Sequence, residues 1–137
     1  MEAVCLAPAP HILLAEDDAE LRELLALVLE GAGYRVTQCA NGLQLLRQME
    51  SADDHALIIS DLRMPGLSGL EVLERQCGRE LATPFICMTA FGDEQTHNNA
   101  RQLGAVATID KPFDLDEMIA LVEGICLRND RNSRSRP

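Results

Sequence analysis

The feature that most constrains this 137-residue chain is a fivefold alternation, in which a short apolar run is followed by a longer stretch with apolar residues at helical spacing. The runs cover residues 11–15, 34–39, 56–60, 85–89 and 105–109. Four are nearly continuous in apolar residues, as strands covered on both faces are. Residues 34–39 alternate apolar with polar and so belong at a sheet edge.

The helical intervals carry their own punctuation. Behind Asp18 as N-cap, Leu21, Leu24, Leu25, Val28, Leu29 and Ala32 recur one turn apart, and Gly31 and Gly33 supply the stop. Asn41 caps a second helix through Leu45, Leu46 and Met49, and Ser68 and Glu71 have capping-box spacing for a third that runs to about Gly78. Pro84 opens the fourth strand, where a missing N–H is tolerated. The fourth helix, over 93–103, offers little apolar surface besides Ala100 and Leu103, so it should be the loosest; the fifth opens at Asp114.

Five βα units at this spacing predict an α/β fold, a doubly wound (βα)5 flavodoxin-like three-layer sandwich. Right-handed crossovers and the edge place of the second run give a parallel sheet of order 2-1-3-4-5. The domain should span 11–127, after an N-terminal extension 1–10 and before an Arg-rich tail or linker, 128–137. The tail has no apolar face and is expected to be disordered.

In such a sheet, ligands bind at the carboxyl ends of the strands. The strand ends here offer Glu16 and Asp17, then Asp61, then Thr89, then Lys111, the one lysine beside eleven arginines. Each has an ordinary explanation taken alone. Acids favour helix starts, Asp caps turns, Thr suits strands and Lys-Pro makes a turn. Four such residue types at four successive rim positions are hard to obtain from those separate causes. Clustered carboxylates repel and raise one another's pKa unless a cation joins them, and a hard divalent ion such as Mg²⁺ fits an all-oxygen donor set. Lys111 and Thr89 suit phosphoryl oxygens, which leaves Asp61 as a carboxylate nucleophile for an aspartyl phosphate.

Charge narrows the class. Residues 128–137 hold four Arg and one Asp, so within a net charge of −10 the rest of the chain carries −13 and makes a poor nucleic-acid binder. The first ten residues lack a signal-peptide pattern and no apolar run reaches membrane-spanning length, so a soluble cytoplasmic protein is expected, with no membrane association. Cys5, Cys39, Cys77, Cys87 and Cys126 show no C-x-x-C spacing and are odd in number, which argues against disulfides or zinc and for small core residues.

Leu14-Ala15-Glu16-Asp17-Asp18, Asp61-Leu62-Arg63-Met64-Pro65-Gly66 with Gly69, Met88-Thr89-Ala90-Phe91-Gly92, Gly104-Ala105 and Lys111-Pro112-Phe113 together resemble the receiver domains of two-component response regulators. The resemblance covers about residues 11–127. It implies that Asp61 is the phosphoacceptor, that Glu16 and Asp17 are the acidic pair at a Mg²⁺ (or Mn²⁺) ion, and that the Arg63 main-chain carbonyl is a further metal ligand. It also implies that Thr89 and Lys111 contact the phosphoryl group, that Ala90 leaves space for it, and that Gly66 and Gly69 shape the loop and helix start beyond Asp61. A histidine kinase or phosphotransfer protein would be the donor, and slow autodephosphorylation would make the chain a signalling switch and not an enzyme proper. A homodimer through the fourth helix, fifth strand and fifth helix fits the same pattern. The tail suits either a linker to a C-terminal output domain or the end of a single-domain phosphorelay carrier.

Two other readings compete. An aspartyl-phosphate phosphohydrolase of the haloacid-dehalogenase sort places its nucleophile after the first strand, whereas here the lone carboxylate follows the third. A phosphorylation-independent interaction module would not need every rim residue. One departure stands out: the family usually has Tyr or Phe three residues before the lysine, and here that position is Thr108. Thr is too small to gate the surface as a ring does, so the switch should run through Thr89 and the loop after it, with residues 93–103 ordering on phosphorylation.

Overall fold

The computed structural model of the chain describes residues 9–51, 55–76, 83–90 and 94–135, with residues 90 and 128–135 represented by their backbone. The elements are β1 (His11–Ala15), α1 (Ala19–Gly31), β2 (Arg35–Cys39), α2 (Gly42–Ser51), β3 (His55–Asp61), α3 (Gly69–Gln76), β4 (Phe85–Ala90), α4 (Glu94–Gln102), β5 (Ala107–Lys111) and α5 (Leu115–Ser135). The strands form one parallel sheet in the order β2-β1-β3-β4-β5, the predicted doubly wound arrangement.

Alternation along the strands splits the core into two layers. Leu13, Ile58, Phe85 and Cys87 pack on one face with Leu45, Met49, Val72, Leu73 and Ala100, and Ile12, Leu14, Leu57, Ile59, Ile86 and Met88 pack on the other with Leu25, Leu29, Met118, Val122 and Ile125. β2 is half exposed at its edge, as its alternating pattern requires. Cys39 and Cys87 are buried free thiols and Cys126 is partly buried. Among the described residues no helix is long and apolar enough to cross a membrane.

The caps fall where side-chain chemistry puts them. Asp18 accepts from the Glu20 and Leu21 amides, Asn41 Oδ1 accepts from the Gln44 amide at 2.9 Å, and Ser68 and Glu71 exchange two 3.1 Å bonds as a capping box. Gly69 sits where α3 meets the end of β3. A Cβ there would lie 2.1 Å from the Asp61 carbonyl oxygen, so only glycine lets the helix start this close to that carboxylate's backbone.

Two boundaries differ from the sequence reading. β5 begins at Ala107, not Ala105, because the Ala105 amide is still bonded to the Ala100 carbonyl at 3.0 Å, beyond a left-handed Gly104 (φ +104°) that closes α4. It also runs on through Asp110 to Lys111, which pairs with Ala90. The second difference is α5, which continues to Ser135 where a disordered tail was expected. A helix already nucleated by the apolar face from Leu115 to Cys126 extends at small cost through residues that include no proline. Residues 1–8, Cys77, Gly78 and the loop 91–93 lie outside the described residues.

Candidate functional site

The carboxyl ends of β1, β3 and β5 meet at one point of the rim. Glu16, directly after β1, is fully buried; Asp61, the last residue of β3, is 8% exposed; and Asp17 is open to solvent. Each of the three brings a carboxylate oxygen to within 4.8 Å of the others. The predicted acidic cluster is therefore assembled. Its donors are all hard oxygens and one faces solvent, so the residues suit a divalent cation of the Mg²⁺ type.

Lys111, at the end of β5, already reaches into this cluster. Its Nζ lies 2.5 Å from Glu16 Oε1 and 2.6 Å from Asp61 Oδ2. The remaining oxygens are held by backbone: Glu16 Oε2 accepts from the Asp18 amide at 3.1 Å, and Asp61 Oδ1 accepts from the Arg63 amide at 2.9 Å. The bond from the Arg63 N–H turns the chain back after Asp61 as an Asx turn does.

The electrostatics follow from the unequal burial of these groups. Burial pushes the Glu16 carboxyl above its ordinary range; the bonds from Lys111 and the Asp18 amide pull it back, and the Asp61 charge adds to the rise. Burial alone would lower Lys111, but its bonds to Asp61 and Glu16 outweigh that and hold the ammonium above its usual value. The opposite pulls on Glu16 have a simple origin: its side chain is 1% exposed against 27% for Lys111, so it loses more solvent than its partner. One lysine faces three carboxylates, and the cluster keeps an excess of negative charge.

Thr89 is tied into a second group of polar side chains. It occupies the predicted strand end and is 2% exposed; its hydroxyl is 2.8 Å from Asp110 Oδ1 and 2.7 Å from His97 Nε2, whereas the Asp61 carboxylate is bonded to the Arg63 amide and Lys111. Thr108 is tied to the same ring, with Oγ1 2.8 Å from His97 Nδ1. The surface that a tyrosine or phenylalanine would fill from β5 is thus filled from α4 by an imidazole. Neither His97 nor Asp110 was singled out in the sequence. The available signal was the one imidazole in a polar helix opposite a missing aromatic ring, with Thr108 and Asp110 two apart on one strand face.

A family model described as the response regulator receiver domain matches residues 12–123. The transcriptional regulatory protein FixJ of Bradyrhizobium diazoefficiens is 35% identical over 113 residues, 82% of this chain and 55% of FixJ, so the chain spans about half the length of that relative. Sporulation initiation phosphotransferase F of Bacillus subtilis is 36% identical over 107 residues, 78% of this chain and 86% of the relative. A crystal structure of full-length FixJ from B. japonicum superposes with a TM-score of 0.82 at 32% identity, covering 94% of this chain and 63% of that one.

Proposed function

Because the chain belongs to the response regulator receiver domain family, we propose that it is a Mg²⁺-dependent phosphoacceptor, taking phosphate on Asp61 from a histidine kinase or phosphotransfer protein. The observation that carries this reading is the convergence of Glu16, Asp17, Asp61 and Lys111 at one rim of the sheet. Glu16, Asp17, Asp61 and the Arg63 carbonyl would hold the Mg²⁺ ion, which when bound supplies positive charge for the phosphoryl oxygens.

The chain's own residues divide the remaining work. Asp61 Oδ1 is fixed by the Arg63 amide, whereas the partner of Oδ2 is a side chain that can move, so Oδ2 is the oxygen that attacks phosphorus. A new O–P bond forms as the bond from phosphorus to the donor's nitrogen or acyl oxygen breaks, and the donor keeps that electron pair. Lys111, held charged, transfers its ammonium from Asp61 to the incoming phosphoryl oxygens. A Thr89 hydroxyl released from Asp110 donates to the same group. The phosphoryl group is later lost to water, and the chain acts as a switch. Its readout surface is α4, β5 and α5, the face through which it would pair with a second copy. Residues 11–127 form the receiver unit, beyond which α5 continues to Ser135.

The test is uptake of one phosphoryl group from a small acyl phosphate, followed by intact mass. Wild type gains the group with Mg²⁺ present. Uptake that survives chelation of the metal, or that Asp61→Asn matches, refutes the reading.

A further inference from the structure

Four polar side chains from three elements meet beneath α4. Cys87 pairs with Thr108 and Thr89 with Asp110 across the β4–β5 ladder, which places Thr89, Thr108 and Asp110 on the face that α4 covers. His97 inserts between them with its side chain 18% exposed. Thr89 Oγ1, His97 Nε2 and Asp110 Oδ1 form a triangle with edges of 2.8, 2.7 and 2.5 Å, and Thr108 closes the ring from the other side at Nδ1.

Proton accounting makes this a committed arrangement. A carboxylate oxygen can only accept, so Nε2 carries a proton and donates to Asp110, and the Thr89 hydroxyl spends its single proton on the same oxygen. The Thr89 hydroxyl, first, and then the His97 ring hold the Asp110 carboxyl below its usual range, with partial desolvation opposing them. A threonine whose proton is given to Asp110 has none to give elsewhere.

We propose that His97 is a positioning residue for Thr89: with Asp110 it holds the threonine hydroxyl on the α4 side of the sheet, and this hold must be released before that hydroxyl can serve a phosphoryl group on Asp61. The inference rests on the phosphoacceptor reading above. α4 depends on the same clamp, since Ala100 is its only buried residue among those described. Release of Thr89 therefore alters what fastens α4, and a partner that draws α4 outward frees Thr89, because coupling between two sites is reciprocal. The absent ring on β5 is replaced by a polar latch operated from the helix.

The test crosses two positions in the full chain. Initial rates of uptake from an acyl phosphate with Mg²⁺ are compared for wild type, His97→Ala and His97→Gln, each also in a Thr89→Val background that removes the hydroxyl and keeps the shape. His97→Ala removes the N–H that Asp110 Oδ1 and Thr89 Oγ1 share, which loosens the hold while leaving Asp110 in place, and should raise the rate about fivefold, the equivalent of one ordinary hydrogen bond. His97→Gln, which keeps an N–H for Asp110, should stay within about twofold of wild type, and His97→Ala should change the Thr89→Val rate by less than about twofold, since one effect runs through the other. Without any donor, the Thr89 methyl resonance should shift in His97→Ala relative to His97→Gln, two variants that both lack the imidazole ring current and differ in the N–H, a readout that a merely structural role at the helix surface would not move. An unchanged rate and resonance in a folded His97→Ala, or an equal rise in the Thr89→Val background, overturns the inference. Wild type that takes up no phosphate refutes the phosphoacceptor reading instead.

Discussion

Replacing Lys111 by methionine keeps the length of the side chain and deletes its charge, leaving Glu16 and Asp61 facing each other without the ammonium that now sits 2.5 and 2.6 Å from them. Breaking a fully buried pair in this way costs about 3–5 kcal/mol. Lys111 is 27% exposed and water can replace part of its contact, so the expected loss is about 2 kcal/mol, near the cost of leaving buried acceptors unsatisfied. For a domain of this size that lowers Tm by roughly 8 °C. The pH dependence has a definite sign. A carboxyl raised in the fold contributes stability that is complete below its unfolded value, 4.5 for Glu16, and is lost as pH rises through the folded value. Losing Lys111 removes two of the influences that lower Glu16, so the deficit of Lys111→Met should be full at neutral pH and narrow as the pH falls toward 4.5. Mg²⁺ adds a second axis. A cation that binds the same carboxylates stabilises the fold by ligand linkage, and it should do so more in Lys111→Met, where no ammonium competes for Glu16 and Asp61. Melting curves in chelator and in millimolar Mg²⁺, at neutral and acid pH, decide the matter. Equal melting of the two proteins in chelator, or a smaller Mg²⁺ shift in the variant, would refute the reasoning.

Gly69→Ala places a Cβ 2.1 Å from the Asp61 carbonyl oxygen, so urea unfolding should show a loss of about 1–3 kcal/mol as α3 is pushed from β3. Asp18→Ala removes the acceptor of the Glu20 and Leu21 amides and should cost about 1 kcal/mol in the same assay. Asp17→Asn, at the exposed corner of the acidic cluster, should weaken the Mg²⁺-dependent rise in Tm while leaving the metal-free melt near wild type. Burial pushes the Cys87 thiol up to about 12 and the Cys39 thiol up to about 11, so at pH 8 both should resist alkylation until the protein is unfolded, as peptide mapping would show.

The fold was legible because its pattern is redundant. Apolar runs in β1, β3 and β4 read as strands covered on both faces, the alternation in β2 marked an edge, and the caps at Asp18, Asn41 and Ser68 gave three helix starts. Glu16, Asp17, Asp61 and Lys111 were legible for a related reason: parallel topology forces successive strand ends onto one rim, so position along the chain already implies proximity. Boundaries set by hydrogen bonds and not by hydropathy were less so. The Ala105 amide is spent on the turn after α4, and Asp110 reads as the end of an apolar run although Thr89 and His97 satisfy it inside β5. The latch beneath α4 was hidden because it depends on which rotamer each of four short polar side chains adopts, and no periodicity encodes that. Thr108 pointed to it only as a ring that was missing.

The central claim is that one carboxylate, at the end of β3, carries the phosphoryl group, and reductive trapping tests it most directly. Borohydride converts an aspartyl phosphate to homoserine and leaves free carboxylates unchanged, so the modified residue can be located by peptide sequencing after uptake with Mg²⁺. The account predicts homoserine at position 61 and at no other acidic residue. Homoserine at position 17 or 110, or uptake without any, would contradict it.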